Sequence, residues 1–142
     1  MTAPANPGSE AGIMGKALTG CLIVVGLINI VPALGVVSAD RLESAYAVTI
    51  AGQDLEILMR HRALLFGILG GFVLYSAFKP AYRSVAMVMA GVSMIGFALL
   101  VLSTGDYNPS IARVLYVDIL GIVFLFVAVL ITFMKSPPES PG

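Results

Sequence analysis

Three ionisable side chains close to or inside apolar sequence are the candidates for chemistry in this chain: Arg60, His61 and Asp118. A charged group surrounded by lipid is energetically costly, so such residues turn towards neighbouring helices, find a partner and often mark a functional site. Arg60 and His61 precede one apolar stretch, and Asp118 lies four residues into another. If both stretches cross a membrane in the same direction, their polar residues lie at the same depth. We therefore predict an Arg60–Asp118 ion pair, and a structural role is its simplest interpretation.

Three further polar residues, Glu56, Arg41 and Asn29, are predicted to lie near this pair. Glu56 precedes Arg60 by one helical turn. Asn29 lies in the half of the first apolar stretch that faces the same membrane surface, and Arg41 lies in the connection that follows. Together with the first three residues they form a predicted polar cluster, which is a candidate ligand-binding site.

Helical spacing separates the side chains around Arg60. Arg60 shares a face with Gly67 and Gly71, and two small residues four positions apart let neighbouring helices approach closely. We therefore expect Arg60 to point into the bundle. Arg62 lies about 200° further round the helix and is expected to extend towards lipid headgroups. His61 lies between the two faces, and an interfacial role is favoured over a catalytic base, since spacing fixes no second titratable partner.

The elements that must position these residues are four apolar stretches, at 17–37, 63–78, 85–102 and 114–134. The mean hydropathy is +0.98, with 58% hydrophobic and 11% charged residues, which is typical of an integral membrane protein. A membrane-crossing helix needs roughly 20 apolar residues, so the second stretch is extended back to residue 59, which places Arg60 at the membrane boundary. The predicted fold is all-α, an integral membrane four-helix bundle with spans of about 17–37, 59–78, 85–102 and 114–134.

The remaining sequence predicts tails and short connections. Residues 1–15 and 136–142 have the composition of disordered tails, which leaves 16–135 as one transmembrane domain. Asp40 and Glu43 have the spacing of a capping box and predict a short interfacial helix. Asp54 is the predicted N-cap of the next helix. The first apolar stretch exceeds the roughly 7–15-residue core of a signal peptide, so we expect it to be retained.

Composition excludes several kinds of site. The net charge is zero and the basic residues are scattered, so no surface is expected to bind nucleic acid. The single cysteine, Cys21, rules out an intrachain disulfide and a cysteine-based metal cluster, and the single histidine rules out haem held by two histidines of one chain. No residue set identifies a catalytic centre, a metal site or a particular cofactor, and we favour a protein without catalytic activity of its own.

Basic residues in the connections govern how a multi-pass protein is oriented. If the spans alternate, four basic residues lie on each side: Lys16, Lys79, Arg83 and Lys135 on one, and Arg41, Arg60, Arg62 and Arg113 on the other. The acidic residues of the connection 38–62 favour the second side as the outer one. The prediction is a cell inner-membrane protein with both termini in the cytoplasm.

Two sequence segments carry a resemblance to a known group. Leu58-Met59-Arg60-His61-Arg62-Ala63 running into Phe66-Gly67, and Arg113-Val114-Leu115 with Asp118, resemble small bacterial four-helix inner-membrane proteins that are similar to DoxX-like proteins in size and layout. The resemblance covers about residues 17–134. It implies a link to quinone-coupled redox chemistry, although no residue independently shows a quinone site.

Three functional classes follow from these observations. An accessory or scaffolding subunit, with the lipid bilayer and other membrane proteins or a second copy as partners, needs no residues beyond a structural cluster and is therefore the favoured prediction. A pocket for a lipid-soluble, quinone-like ligand would use Arg60 and His61 as hydrogen-bond donors, with Asp118 orienting Arg60. A small proton-coupled transporter would cycle Asp118 between its protonated and ionised forms. A cavity that reaches Asp118 would separate the last two classes from a scaffold whose Arg60 and Asp118 are paired without a void.

Overall fold

The computed structural model describes residues 7–135, and this part of the chain is helical throughout with short connections. The α-helices are α1 (Pro7–Ile30), α2 (Ala39–Tyr46), α3 (Gln53–Phe78), α4 (Arg83–Thr104) and α5 (Pro109–Lys135). Two 3-10 helices, Val31–Val36 and Pro80–Tyr82, complete the order of elements. Helix α1 begins inside the predicted disordered tail, because proline is tolerated in a first helical turn and extending an existing helix is inexpensive. Residues 1–6 and 136–142 of the two predicted tails lie outside the described residues.

Four segments are long and apolar enough to cross a membrane: Gly12–Val36, Gln53–Phe78, Pro80–Thr104 and Pro109–Lys135. They overlap all four predicted spans, so the prediction of an all-α membrane bundle is confirmed. The first crossing changes from α-helix to 3-10 helix at Val31, directly before Pro32, whose missing N–H group cannot complete the α-helical hydrogen-bond pattern.

The four long helices pack as a square in which α1 and α4 each contact both α3 and α5. Helices α3 and α5 therefore face each other diagonally. The N-terminal part of α1 lies beside the end of α5, since a Cβ atom on Gly15 would be 3.2 Å from Lys135 Nζ. We call this side, which also holds the connection Pro80–Tyr82, the terminal end, and the opposite side, with helix α2, the α2 end.

Helices α1 and α3 approach each other closely at Gly26 and Gly70. A Cβ atom on Gly70 would lie 2.7 Å from the backbone nitrogen of Ile30 and 2.8 Å from the Gly26 carbonyl oxygen. In contrast, a Cβ atom on Gly71 would meet nothing within 4 Å. The predicted packing through Gly67 and Gly71 is therefore confirmed at Gly67, where a Cβ atom would be 3.0 Å from the Ala33 Cβ atom, and wrong at Gly71, because the helices also approach along the face that contains Gly70.

Helix α2 is the short helix that the sequence predicts, so this prediction is confirmed, and it packs against the end of the first span. Its N-cap is Ser38, whose hydroxyl accepts a hydrogen bond from the backbone nitrogen of Asp40 at 3.2 Å. Asp40 is thus a first-turn residue and the predicted cap is off by two positions. Helix α3 likewise has Gly52 as its N-cap and Asp54 within its first turn. The glycine adopts φ 89°, a conformation that a side chain disfavours.

Candidate functional site

Arg60, the residue predicted to point into the bundle, lies on its outside. Its side chain is 45% exposed, and its Nη1 atom donates a hydrogen bond to Glu56 Oε1 at 3.1 Å. Its Nε atom donates to the carbonyl oxygen of Val36 at 2.8 Å, at the end of the 3-10 helix. Arg60 therefore ties α3 to the end of the first span. The predicted Arg60–Asp118 pair is wrong.

Arg62 occupies the interior position instead. Its guanidinium carbon lies 5.7 Å from the centroid of the Tyr46 ring, 5.2 Å from Phe66 and 5.7 Å from Phe97. Aromatic faces attract a guanidinium electrostatically at such distances. The rings come from α2, α3 and α4, so one cation holds three elements together. The prediction that Arg62 extends to lipid headgroups is wrong, because its face of α3, shared with the fully buried Val73, is the one that packs inwards.

Asp118 on α5 faces Arg62 across a cavity of about 20 Å³ that both side chains line. The two charges interact electrostatically. A cavity of this size has room for roughly one water molecule. Within residues 7–135, the Asp118 carboxylate accepts no hydrogen bond. In the described part of the chain Arg62 and Asp118 form no direct ion pair, so Arg62 is the charged neighbour of Asp118 across the cavity, in place of the predicted Arg60.

Asn29 lies on the same small cavity and is the one predicted cluster member that lies beside Asp118 there. It is 3% exposed, donates a hydrogen bond to the carbonyl oxygen of Val25 at 2.9 Å, and contacts the Met94 sulfur at 3.6 Å. The side-chain amide is therefore satisfied mainly by its own helix, and it contributes a polar wall without an unpaired donor.

Tyr46 closes the small cavity from the α2 end. It is 6% exposed and belongs to a buried cluster with Leu42 and Ala63. Asn108 fixes the end of α2, since its side-chain nitrogen donates to the carbonyl oxygens of Tyr46 at 2.9 Å and Ala47 at 3.3 Å. Burial raises the pKa of the Tyr46 phenol above its ordinary value of 10.0, while the charge of Arg62 lowers it and that of Asp118 raises it. The phenol is therefore a protonated hydrogen-bond donor at neutral pH.

A much larger groove, of about 870 Å³, lies on the other side of Tyr46 and Asp118. It is formed by the end of the first span, by α2 and by the first turns of α5. Most of its lining is apolar, including Leu27, Val31, Leu34, Ala45 and Val117. Its charged lining residues are Asp40, Arg41, Arg113 and Asp118. Five residues line both spaces and form the wall between the groove and the small cavity, and Tyr46 and Asp118 are the two ionisable ones among Ile28, Pro32, Tyr46, Val114 and Asp118.

Five of the six predicted cluster residues are thus divided among three spaces, and the sixth, His61, lines none of the three. Asn29 and Asp118 line the small cavity, and Arg41 lines the groove. Glu56 and Arg60 line a surface depression formed by α3 alone, and His61 is exposed.

Sequence reasoning missed three residues of this region, which are Arg62, Tyr46 and Arg113. The alignment of Arg62 with Phe66 on one helical face was the available signal, because an arginine beside aromatic rings is often held by them. Nothing in the sequence placed Tyr46 against that face, since the contact depends on how α2 folds back.

These observations define the class of the protein as an all-α, multi-pass membrane protein with an apolar groove at one end of its bundle. Comparison of the chain with protein-family models, with curated proteins and with solved structures finds no match. The resemblance to DoxX-like proteins stays a prediction.

Proposed function

We propose that this protein binds a lipid-soluble ligand in the groove between the first span, α2 and α5. The observation that supports this function is the groove itself, whose volume of about 870 Å³ lies within the range of ligand pockets. Its lining is predominantly apolar, with a few charged groups at defined positions, and this combination is typical of sites for amphiphilic molecules.

The hydrogen-bond donors of this site differ from those of the quinone-like arrangement predicted from the sequence. Arg60 and His61 are absent from the groove lining, whereas Arg41, Arg113 and Tyr46 contribute to it. A ligand in the groove would therefore meet two guanidinium groups and one phenol. Asp118 adds a carboxyl group, and Arg62 lines the small cavity on the other side of it.

A proton-coupled transporter is the second candidate, because the groove reaches Asp118. That residue would have to exchange its proton with water. The apolar lining of the groove favours a lipid-soluble occupant over a hydrated one. The third candidate, an accessory subunit, was expected to have an Arg60–Asp118 ion pair with no cavity beside it. Arg60 forms its ion pair with Glu56 instead, so this expected feature is missing.

We further propose the bacterial inner membrane as the location, with both termini in the cytoplasm. The terminal end presents Lys79 and Lys135 at exposed positions. Arg62 at the α2 end is enclosed by aromatic rings, and Arg83 at the terminal end is hydrogen-bonded to Thr19 and Ala77, so the basic residues of the two ends stay balanced. The proposed orientation therefore rests on the acidic residues of the connection 38–62, which favour the α2 end as the outer side.

The ligand-binding function is tested by filling the groove. Ala45 lines it, and Ala45→Phe would occupy its volume. Val92→Phe is the matched control, because Val92 is 72% exposed on α4, away from the groove. The full-length protein would be purified in mild detergent, and the lipid-soluble molecules it retains would be extracted and quantified by mass spectrometry. Wild type and Val92→Phe should retain the same species, and Ala45→Phe should lose it. Equal retention by all three proteins would contradict the proposal.

A further inference from the structure

The mouth of the groove carries two arginines whose side chains have no partner in the described chain. Arg41 lies in the first turn of α2, and Arg113 lies four residues into α5. Both residues are exposed and both line the groove. Within residues 7–135, neither guanidinium forms a hydrogen bond or an ion pair.

The charges around the groove leave its mouth positive. Two acidic residues line the groove, Asp40 and Asp118, and only Asp40 lies next to one of the two arginines in the sequence. Asp118 lies about 8 Å deeper along α5 than Arg113, at 1.5 Å per residue. Its charge is opposed by Arg62 on the other side of the wall. An occupant with a negative headgroup is therefore complementary to the mouth of the groove.

We propose that the occupant is an anionic phospholipid whose phosphate lies between Arg41 and Arg113 and whose acyl chain lies in the groove. This inference rests on the ligand-binding function proposed above and names its ligand class. A guanidinium matches phosphate oxygens through paired N–H donors. Arg113 lies about 6 Å from the start of α5, which is the level of the headgroups if α5 begins at the membrane surface.

The lining below the arginines suits a hydrocarbon chain. Leu27, Val31 and Leu34 follow one another along the first span, and Val117 lies one turn below Arg113 on α5. The side chains of all four are exposed in the isolated chain. The apolar lining therefore runs from the positive mouth towards the interior of the bilayer. A phospholipid has the same arrangement, with its charged headgroup at the surface and its acyl chain below.

The experiment measures headgroup preference. Delipidated full-length protein in neutral detergent would receive equal amounts of phosphatidylglycerol and phosphatidylcholine with matched chains, and native mass spectrometry would count each bound lipid. Wild type should prefer phosphatidylglycerol. Arg41→Gln and Arg113→Gln should each lower that preference about fivefold, the change that corresponds to about 1 kcal/mol per basic side chain near anionic lipid. Binding of phosphatidylcholine should stay unchanged.

Matched variants separate the charge at the groove from net charge. Lys79→Gln and Lys135→Gln remove the same charge at the terminal end and should keep the wild-type preference. Arg41→Lys and Arg113→Lys should restore part of it, and circular dichroism would verify that each protein is folded. If Arg41→Gln and Arg113→Gln prefer phosphatidylglycerol as strongly as the two lysine control variants do, the phospholipid assignment is overturned.

Ala45→Phe, which fills the groove, distinguishes failure of the phospholipid assignment from failure of the proposed ligand-binding function. If Ala45→Phe abolishes binding of both lipids while the arginine variants keep the wild-type preference, the groove binds lipid but the arginines do not select its headgroup. If Ala45→Phe binds both lipids as wild type does, the groove is not the binding site and both proposals fail.

Discussion

Arg62 on α3 and Asp118 on α5 line one small cavity towards the α2 end of the bundle, on helices that face each other diagonally. Both side chains are half-buried. Three aromatic rings surround the cation, and Tyr46 and Asp118 separate it from the apolar groove. The charged pair therefore connects the packing of the bundle to the wall of the proposed ligand site.

The first prediction concerns this charged pair. Arg62→Ala and Asp118→Ala should each lower the free energy of unfolding by about 1–3 kcal/mol, between the values typical of exposed and of buried pairs. Each variant leaves the opposite charge without its partner, so the double variant should lose less than the sum of the two single losses. Unfolding in detergent measures the four proteins of this cycle.

A control double-mutant cycle combines Asp118→Ala with Arg60→Ala in place of Arg62→Ala. Arg60 bonds to Glu56 and to the Val36 carbonyl, so Arg60→Ala and Asp118→Ala should have additive effects. Coupling between Arg60 and Asp118, together with additivity between Arg62 and Asp118, would contradict the structural assignment.

The overall fold could be predicted from the sequence because its main determinant is the length and hydrophobicity of four segments. Each predicted span overlaps a long helix, since an apolar stretch long enough to cross lipid must satisfy its backbone hydrogen bonds as a helix. The short helix α2 was also recognisable, because capping and turn chemistry act over a few residues.

The inward faces of the helices could not be predicted in the same way. Lipid is as apolar as a bundle core, so hydrophobicity does not distinguish a lipid-facing side chain from a packed one. The glycine pattern favoured the face of Arg60, whereas the chain packs through Gly70 and buries the face of Arg62. The location of Tyr46 depends on how α2 folds back against α3, a tertiary contact that local spacing does not encode.

The second prediction tests the α1–α3 contact. Gly70→Ala should destabilise the bundle by about 1–3 kcal/mol, the typical cost of overpacking, because its Cβ atom would be 2.7 Å from a backbone nitrogen that cannot move alone. Gly71→Ala has open space around its Cβ atom and should be neutral or stabilising, because alanine favours helix over glycine. Thermal unfolding in detergent compares them, and a larger loss for Gly71→Ala would show that the helices pack along the other face.

The third prediction concerns orientation. Single cysteines at Lys79 and Asp54, both at exposed positions near opposite ends of α3, would be introduced into a Cys21→Ser chain. In intact cells, a membrane-impermeant maleimide should label Lys79→Cys only after the cytoplasmic membrane is permeabilised, and it should label Asp54→Cys without this step. The reverse pattern would place the termini outside the cytoplasm.

The fourth prediction concerns the pH dependence of Tyr46. Its phenol has a raised pKa, chiefly because the ring is buried, so the folded chain holds the phenolic proton more tightly than the unfolded chain does. The resulting contribution to stability is fully present below the unfolded pKa of about 10 and is lost as pH rises through the higher folded value. Stability measured between pH 8 and pH 11, roughly spanning that window, should therefore fall more steeply for wild type than for Tyr46→Phe.

Tyr107→Phe is the matched control for this measurement, since Tyr107 is 42% exposed in the connection between α4 and α5, outside the membrane-spanning segments. It should keep the wild-type pH profile, whereas Tyr46→Phe should flatten it. The absorbance of ionised tyrosine, followed over the same pH range, should contain a late-titrating contribution in wild type that Tyr46→Phe removes. If the two variants have the same profile, burial does not raise the pKa of the Tyr46 phenol, and the assignment of Tyr46 to the wall between the groove and the small cavity is contradicted.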